Sequence, residues 1–593
     1  MARKIAGWAW KGAVVLAFVL VPVGCGDDDA PPGDDAGRRD GGAVPADAGP
    51  RPDGAVVDDA GSTPDGGVPP SGFLRCPAVT ADPTTGAELP RARVDTTFPT
   101  LTGRTIHVAA GGDLQAALDM AVGGDTVELA AGATFMGPVT LRDHAGTDWV
   151  VIRSDGVALP AEGHRVAPSD AAAMARIVAP PALSAIETAT QAHHYRLVGI
   201  ELTTSSDTYS TAIVDLGSSE STVAAMPHHI VLDRCYLHGA ATAGTRRGIA
   251  MNAVQVAVVE SYFTDFRETG ADSQAIAGWS GPGPFGIYDN YLAGAAENVM
   301  FGGASSHGPG TNPSDIEICS NHFDKPLTWY EMDPTFAGLD WVEKNLFELK
   351  NARRVLFAGN VLEHSWGDGQ VGFAILLTPR AEGDRSLDHA VTDVTVAYNL
   401  VRDVGAGVAL SSVDDGTPSS NVSERVAIHN NLFVGIDHAR WNGAGRAFQI
   451  TRGGATGHDV LVAHNTALLS GNAAIVLGDS TPVFDGVVIR DNLLEHGDYG
   501  LFGSGQGEGT GALDYYVPGY VFAANAIFGD ASVASRYPAG NFFPANAAAV
   551  GFVDAAGGDY ALAASSAYAS SATDGRALGA DVAQITRVTA GVR

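Results

Sequence analysis

The sequence predicts an all-β chain wound into a solenoid of stacked coils, each coil contributing short parallel strands. One unit recurs between about residues 230 and 530, with copies 26 to 39 residues apart. Apolar and polar residues alternate within each copy, which is the period of a strand and not of a helix. Regular spacing without intervening helices favours one repeat array over several separate domains.

A polar position shared by the copies predicts a ladder along one corner of the solenoid. An asparagine amide at a corner can hydrogen-bond to the amides above and below it. We therefore assign these residues to structure and exclude them from any site. They are Cys235, Ser261, Asn290, Asn321, Asn360, Asn399, Asn431, Asn465, Asn492 and Asn525.

A short helix is predicted before the coils. Leu114, Ala117, Leu118 and Ala121 form its apolar face, and a Gly-Gly-Asp turn leads into a strand. The repeat and this helix resemble the right-handed parallel β-helix proteins of the pectate-lyase-like superfamily, in which such a helix covers the open first coil. The resemblance implies a β-helix domain over 73–593, with a cap at about 105–135, coils at about 136–530 and a C-terminal cap or tail at about 531–593.

The first 72 residues are predicted to be a targeting segment. An apolar run at 12–23, too short to span a membrane, ends just before Cys25. The pattern resembles the signal of bacterial lipoproteins, which implies a signal peptide at 1–24 and lipidation of Cys25. Residues 25–72 are rich in Asp, Gly, Pro and Ala and predict a disordered tether. We expect a protein of the bacterial cell envelope, at the outer membrane or cell surface, held to the membrane by its lipid only.

Charge and cysteine content restrict partners and cross-links. Acidic residues outnumber basic ones by 67 to 36, for a net charge of −31. This argues against binding of nucleic acid, because neutralising phosphates needs a basic face.

Besides Cys25 there are Cys76, Cys235 and Cys319, so at most one disulfide forms among these three. Cys235 and Cys319 fall in repeat strands, where we expect buried thiols. We expect a monomer.

A third apolar strand in each coil predicts the functional face. Residues such as Phe347 and Leu349 point inward, and their neighbours point outward. Polar and small residues on that outer face predict a groove floor, and the resemblance to β-helix enzymes implies that it holds an extended sugar chain. The candidates for substrate binding are Asn252, Asp272, Gln274, Trp279, Glu297, Asn298, Lys325, Lys344 and Gln449.

Lysine usage marks one part of this face. Outside the signal segment, the lysines are Lys325, Lys344 and Lys350, all within 26 residues. An amine can lose its proton where a guanidinium cannot, so a lysine kept among many arginines indicates a base. Chance clustering of three surface charges is the alternative.

The segment 343–351, EKNLFELKN, resembles the chondroitinase-B and alginate-lyase family of β-helix lyases. The resemblance implies that Lys350 is the base and that Arg380 on the next coil assists it. It also implies a Ca²⁺ site at Glu343 and Asn345, where Asn345 replaces the second acid of that family. No other cofactor is expected.

The chemistry that these residues predict is β-elimination at a uronic acid in an acidic polysaccharide. A base removes the C5 proton while a cation or metal neutralises the carboxylate. The catalytic candidates are Lys350, Arg380 and Glu348. Two alternatives remain open: a non-catalytic β-helix that binds glycans or a surface partner, and a glycoside hydrolase with paired carboxylates. The double histidines at 193–194 and 228–229 open strands and are predicted to be structural.

Overall fold

The computed structural model describes residues 75–205, 209–217, 219–380, 388–414, 421–478 and 481–593. The predicted signal peptide, the lipidation site Cys25 and the tether lie outside these ranges. Within them, strands form three long sheets, and neighbouring strands of each long sheet run parallel. No helix in the described ranges is long and apolar enough to cross a membrane.

The chain visits the three sheets in turn, so that each sheet grows by one strand per coil. Consecutive strands of one sheet pair in register, as Val355 does with Val394 and Val394 with Val426. This topology is the predicted right-handed parallel β-helix, and the fold class is confirmed.

The strands of the described residues fall into the following sets. The first sheet contains Thr105–Val108, Thr126–Leu129, Val150–Ser154, His193–Val198, His228–Asp233, Val254–Val259, Phe285–Tyr288, Ser314–Cys319, Ala352–Ala358, Val391–Ala397, Ser423–His429, Gly457–Ala463, Phe484–Arg490 and Val521–Ala523. The second sheet contains Thr134–Met136, Ala175–Ala179, Ile200–Thr204, Tyr236–His238, Tyr262–Phe266, Tyr291–Gly294, His322–Asp324, Val361–Ser365, Leu400–Val404, Leu432–Asp437, Thr466–Ser470, Leu493–Glu495 and Ala526–Phe528. The third sheet contains Val139–Leu141, Ile186–Thr188, Val214–Leu216, Arg247–Met251, Gln274–Gly278, Glu297–Phe301, Asn345–Leu349, Phe373–Leu377, Ala406–Ser411, Arg446–Thr451, Ala473–Leu477 and Leu501–Gly503. A separate antiparallel pair is formed by Phe552–Asp554 and Asp559–Leu562.

Helices are few and short in the same ranges. The α-helices are Leu114–Met120, Thr510–Tyr516, Ala547–Val550 and Val582–Val588. The 3₁₀ helices are Pro168–Ala173, Val223–Ala225, Leu327–Trp329 and Ala531–Arg536.

The core lies inside the coils and is closed at both ends by a helix. At the N-terminal end, the predicted helix buries Leu114 and Leu118 in the core, and the Asp113 carboxylate accepts the N–H of Ala116 as its N-cap. At the other end, Leu513 and Tyr516 of the helix Thr510–Tyr516 enter the core.

The predicted C-terminal cap or tail follows this helix. Val533 and Tyr537 also belong to the core, and the rest of the tail returns along the outside of the second sheet. Val582 and Ile585 of the last helix pack there against Leu432. The Ala- and Gly-rich composition of this tail suits close packing on a finished surface.

The asparagine ladder is confirmed. From Asn290 to Asn525, each side-chain amide donates to the side-chain carbonyl oxygen of the next asparagine, at 2.8 to 3.1 Å, and the series ends at Asn541. Each of these amides, Asn290 to Asn525, also donates to a backbone carbonyl, so its donors are satisfied although it is buried.

Cys319 is not the free buried thiol that its strand position predicted, because it forms a disulfide with Cys76. The Cys319 side chain lies on the outer face of the first sheet, in a cluster with Val94, Cys76 and Tyr288. The segment 75–100 covers that face, which explains how an outward cysteine becomes buried. Cys235 is a buried free thiol, as expected.

Candidate functional site

The outer face of the third sheet carries a group of polar and charged side chains on three neighbouring strands and beside their ends. Gln274, Glu297 and Asn345 are register partners on consecutive strands. Leu346 and Phe347 both enter the core, so that Asn345 and Glu348 share the outer side. We call this group the third-sheet cluster. It consists of Asp272, Gln274, Glu297, Lys344, Asn345, Glu348 and Lys350.

The cluster is internally paired and buried. The Gln274 amide donates to Glu297 Oε2 at 2.8 Å, and the Asn345 amide donates to Glu348 Oε2 at 3.0 Å. Lys344 forms an ion pair with Asp272. The Lys350 Nζ lies 3.8 Å from Glu348 Oε1, and its side chain is 4% exposed. These contacts fix the side chains before any ligand arrives.

Four oxygen atoms of the cluster have no hydrogen-bond partner among the described residues. They are Gln274 Oε1, Glu297 Oε1, Asn345 Oδ1 and Glu348 Oε1. A buried acceptor without a donor costs about 1–3 kcal/mol. Four such atoms on one face suit a ligand that offers complementary polar groups.

The protonation of the cluster follows from its burial. Burial, together with the charges of Asp272 and Glu348, raises the pKa of Glu297 to about 8, although the charges of Lys344 and Lys350 act in the opposite direction. Glu297 is therefore a neutral carboxylic acid at pH 7. Because Oε2 accepts from Gln274, the proton on Oε1 is available for donation.

Lys344 keeps its charge. Burial lowers its pKa, but the neighbouring carboxyl groups of Glu297, Asp272 and Glu348 more than compensate, so its pKa lies above the usual range. Lys344 thus serves as a fixed positive charge beside the cluster and cannot act as a base near neutral pH.

A glycine positions Lys350 against the neighbouring coil. The register of the third sheet places Trp279, Gly302 and Lys350 at equivalent points of three consecutive coils. Gly302 has φ +97°, and a Cβ on it would lie 2.8 Å from the Lys350 Cβ. Trp279 is half-buried, with the Arg247 guanidinium 5.1 Å from its ring centroid. An aromatic ring and a lysine thus flank a glycine floor, an arrangement suited to a sugar ring.

The loop 302–312 lies against this floor. Asn312 Oδ1 accepts from the Asn351 amide at 2.9 Å, and the Asn312 amide donates to Asp388 at 2.8 Å. Asn351 directly follows Lys350, so these bonds hold the loop beside the lysine.

Two asparagines that were predicted to bind substrate instead form hydrogen bonds with backbone groups. Asn252 Oδ1 accepts the backbone N–H of Trp279 at 2.9 Å and of Ser280 at 3.0 Å. The Asn298 amide donates to backbone carbonyls of Leu292 and Asp324 at 2.6 and 2.9 Å. Asn298 does not point outward as the alternation predicted, because the strand turns at its first residues.

Lys325 is also structural. It is fully buried, and its ammonium donates to the backbone carbonyls of residues 294, 295 and 296 at the corner before the third sheet. Burial lowers its pKa to about 8, while Glu343 and Glu297 act in the opposite direction. It lies beneath the cluster rather than in the groove.

Only one of the two predicted metal ligands lies in the cluster. Asn345 does, but Glu343 lines a separate cavity of about 360 Å³ with Tyr330, Trp366 and Asp368. Burial raises the pKa of Glu343 well above the usual range, and Lys325 lowers it only in part. The predicted Glu343–Asn345 pair is therefore divided between two places.

Gln449 and Arg380 lie outside the hydrogen-bonded cluster. Gln449 accepts from Arg446 and stands three strands from Glu348, roughly 14 Å along the sheet. Leu376 and Ala409 occupy the positions between them and form an apolar patch. The Arg380 backbone N–H donates to the Lys350 carbonyl at 3.1 Å, so this arginine is adjacent to the proposed base.

No known protein family matches the sequence, and no curated protein matches it either. Solved structures do. An alginate lyase from Paenibacillus sp. str. FPU-7 is 12% identical over 71% of this chain and 98% of its own, with a TM-score of 0.26. The PL6 family alginate lyase AlyGC is 12% identical over 73% of this chain and 53% of its own, with a TM-score of 0.41. A mannuronic acid specific family 6 lyase from human gut microbiota is 14% identical over 74% and 91%, with a TM-score of 0.37.

The Dettilon tailspike protein also matches, at 12% identity over 71% of this chain and 68% of its own, with a TM-score of 0.37. Lyases and a tailspike protein thus resemble this chain to a similar degree, and the resemblance carries no statement about activity. The chain is a parallel β-helix on the evidence of its own strand pairing.

Proposed function

We propose that this protein is a polysaccharide-active enzyme, a lyase that cleaves an acidic glycan by β-elimination at the third-sheet cluster. One observation carries the proposal. Lys350 and the neutral carboxylic acid Glu297 belong to a preorganised group with four unpartnered oxygens, on the outer face of a long parallel sheet. Such a face offers an extended polymer consecutive binding positions.

Each residue has a definite task in this reaction. The Lys350 amine, in its unprotonated form, takes the C5 proton of a uronate. Glu297 donates its Oε1 proton in a hydrogen bond to the uronate carboxylate, which stabilises the charge that develops there. The C5–H electron pair forms the C4–C5 double bond as the C4–O bond breaks. The leaving oxygen takes the proton back from the Lys350 ammonium.

The oxygen atoms without hydrogen-bond partners are also possible ligands for the predicted Ca²⁺ ion. Carboxylate and amide oxygens are the ligands that Ca²⁺ prefers. Asn345 and Glu348 would hold it, whereas Glu297 is protonated and Glu343 lies elsewhere. When bound, the ion would supply charge neutralisation at the substrate carboxylate.

The second part of this proposal is that the protein is anchored by lipid in the bacterial cell envelope. The N-terminal lipoprotein signal and acidic tether are its sequence basis. The Cys76–Cys319 disulfide supports it, because disulfides persist in oxidising compartments outside the cytosol.

Glycoside hydrolysis is the second candidate, and one observation favours it. Glu297 is a neutral acid beside Glu348 in one buried group, and an acid and a carboxylate are the pair that hydrolysis needs. The products distinguish the two reactions, because only a lyase leaves an unsaturated sugar.

The test is a product analysis on a panel of alginate, pectate, chondroitin and neutral glycans, with and without Ca²⁺. Lyase action raises absorbance near 235 nm on an acidic polymer. Reducing ends without that absorbance identify a hydrolase. Neither signal on any glycan contradicts both catalytic candidates and leaves a binding protein.

A further inference from the structure

Four histidines meet on the first sheet, away from the third-sheet cluster. His193 and His194 begin one strand, and His228 and His229 begin the next. His193 and His228 are register partners with rings stacked 5.0 Å apart and 7° from parallel. The rings of His194 and His229 stack at 4.2 Å and 11°. Two coils thus contribute a two-by-two array of imidazoles.

A backbone irregularity brings the two rings of each coil together. His194 and His229 both have φ +54°, and the pairing register skips them. Each is therefore a bulged residue, which re-aims its side chain. The Nδ1 atoms of His193 and His194 lie 2.9 Å apart, and those of His228 and His229 lie 2.7 Å apart.

The same bulge position recurs in later coils with different chemistry. There the column holds ion pairs: Arg354 with Asp315 at 2.7 Å, and Arg425 with Asp393 at 2.7 Å. In the two histidine coils, imidazoles occupy the column instead. Neutral imidazoles bind metal ions through a ring nitrogen.

The spacing of the nitrogens suits one ion. His194, His228 and His229 each offer a ring nitrogen, and the three atoms lie within 4.8 Å of one another. Two nitrogens on a tetrahedral zinc ion, with bonds of about 2.0–2.1 Å, are separated by about 3.3 Å. Ligation would therefore draw the three nitrogens closer together.

The fourth histidine has the contacts of an outer-shell residue. His193 Nε2 lies 3.1 Å from an oxygen of Asp143, and its Nδ1 faces His194. A carboxylate that orients a histidine near a metal fixes its tautomer and position. Asp143 orients His193, and His193 in turn helps to position the imidazole ring of His194.

In a second group, His322, Asp324 and Glu363, the possible ligand atoms also lie within 4.8 Å of one another. The contacts of this group differ from those of the histidines. Glu363 forms an ion pair with Arg402, and Asp324 accepts from Tyr291 and contacts His364. Protein partners thus already occupy its carboxylates. It provides a matched control.

We propose that His194, His228 and His229 form a binding site for a late first-row transition-metal ion, Zn²⁺ in the first instance, with His193 and Asp143 as its outer shell. Three imidazoles leave a fourth position for water. The ion would join two coils near the N-terminal cap, and so tie together strands that are distant in sequence.

The test uses purified protein without a histidine tag, freed of metal by a chelator. We expect calorimetric titration with Zn²⁺ to give one site per chain, and Co²⁺ to give the visible spectrum of a tetrahedral site. His229→Gln and His194→Gln should each weaken binding at least tenfold, whereas His322→Gln should leave it unchanged. Far-UV circular dichroism confirms that the variants fold.

Two results would overturn the proposal. One is the absence of stoichiometric Zn²⁺ binding and of a tetrahedral Co²⁺ spectrum in the unmodified protein, which needs no variant. The other is binding that both His229→Gln and His194→Gln retain at full strength, which identifies adventitious surface histidines.

Discussion

Burial decides what each charged residue near the groove does. The sequence assigned Lys350 to catalysis and Lys325 and Lys344 to substrate binding, and the structure gives the three lysines different partners. Lys325 donates to three backbone carbonyls, Lys344 pairs with Asp272, and Lys350 stands beside Glu348. The lysine count drew attention to this part of the chain, but the partners of the lysines come from other coils and loops that no local pattern encodes.

Glu297 makes stability depend on pH in a defined direction. Its pKa is about 8 in the folded protein and near 4.5 when unfolded. Between these values the folded state holds one more proton, so stability is highest below the unfolded value. It falls by roughly 1 kcal/mol per pH unit as pH rises towards 8.

Glu297→Gln should therefore flatten the pH profile of the melting temperature between pH 4.5 and 8. We expect the variant to match the unmodified protein near pH 4.5 and to exceed it at pH 8.5. Thermal unfolding across this range measures the difference. A profile as steep as that of the unmodified protein would assign the slope to other groups.

At the scale of elements, the corner ladder and the capping helix were predictable because both are local patterns. The ladder residue recurs in each copy, and the helix carries its own apolar face and N-cap. The disulfide was not predictable, because Cys76 lies outside the repeat and its partner is 243 residues away. The helix Thr510–Tyr516 at the C-terminal end was not predicted either, since only packing shows which helix enters the core.

Asn399→Ala should destabilise the solenoid by roughly 2–4 kcal/mol, because it leaves several buried groups without partners. The Asn399 side chain accepts from the backbone and amide of Asn360 and donates to Phe357 O and Asn431 Oδ1. Denaturant unfolding measures the loss. Asn421→Ala, on an exposed bond to Asp388, is the control and should change stability little.

Cys76→Ser should release the segment 75–100 from the first sheet while the coils stay folded. The disulfide is the covalent tie of that segment to the sheet, and such bonds typically contribute about 2–4 kcal/mol. Limited proteolysis followed by mass spectrometry should show early cleavage in 75–100 only in the variant. Equal resistance in both proteins would show that the apolar contacts of Val94 and its neighbours suffice.

For the whole molecule, the spacing of one repeated unit was enough to predict the fold, because each coil contacts mainly its neighbours. The candidate site could not be predicted from the repeat spacing alone. The seven cluster residues come from three coils, and whether their side chains converge depends on loop lengths and on turns such as the one at Leu346 and Phe347. A similar irregularity at the start of the strand Glu297–Phe301 changed the orientation assigned to Asn298.

Net charge gives a prediction about the entire protein. A chain of charge −31 repels an acidic polymer, and salt screens this repulsion. We expect kcat/KM on the acidic substrate to rise several-fold between 10 and 150 mM NaCl. Stopped-flow or initial-rate assays measure it. A steady fall with salt would instead indicate attraction by a local basic surface.

The most direct test of the central claim is the initial rate of absorbance increase near 235 nm on the preferred acidic glycan, for the unmodified protein and for Lys350→Met. Loss of the base should lower kcat by at least 10³-fold, with an unchanged melting temperature and retained glycan binding. Comparable rates in the two proteins, each correctly folded, would contradict catalysis by Lys350 at the third-sheet cluster.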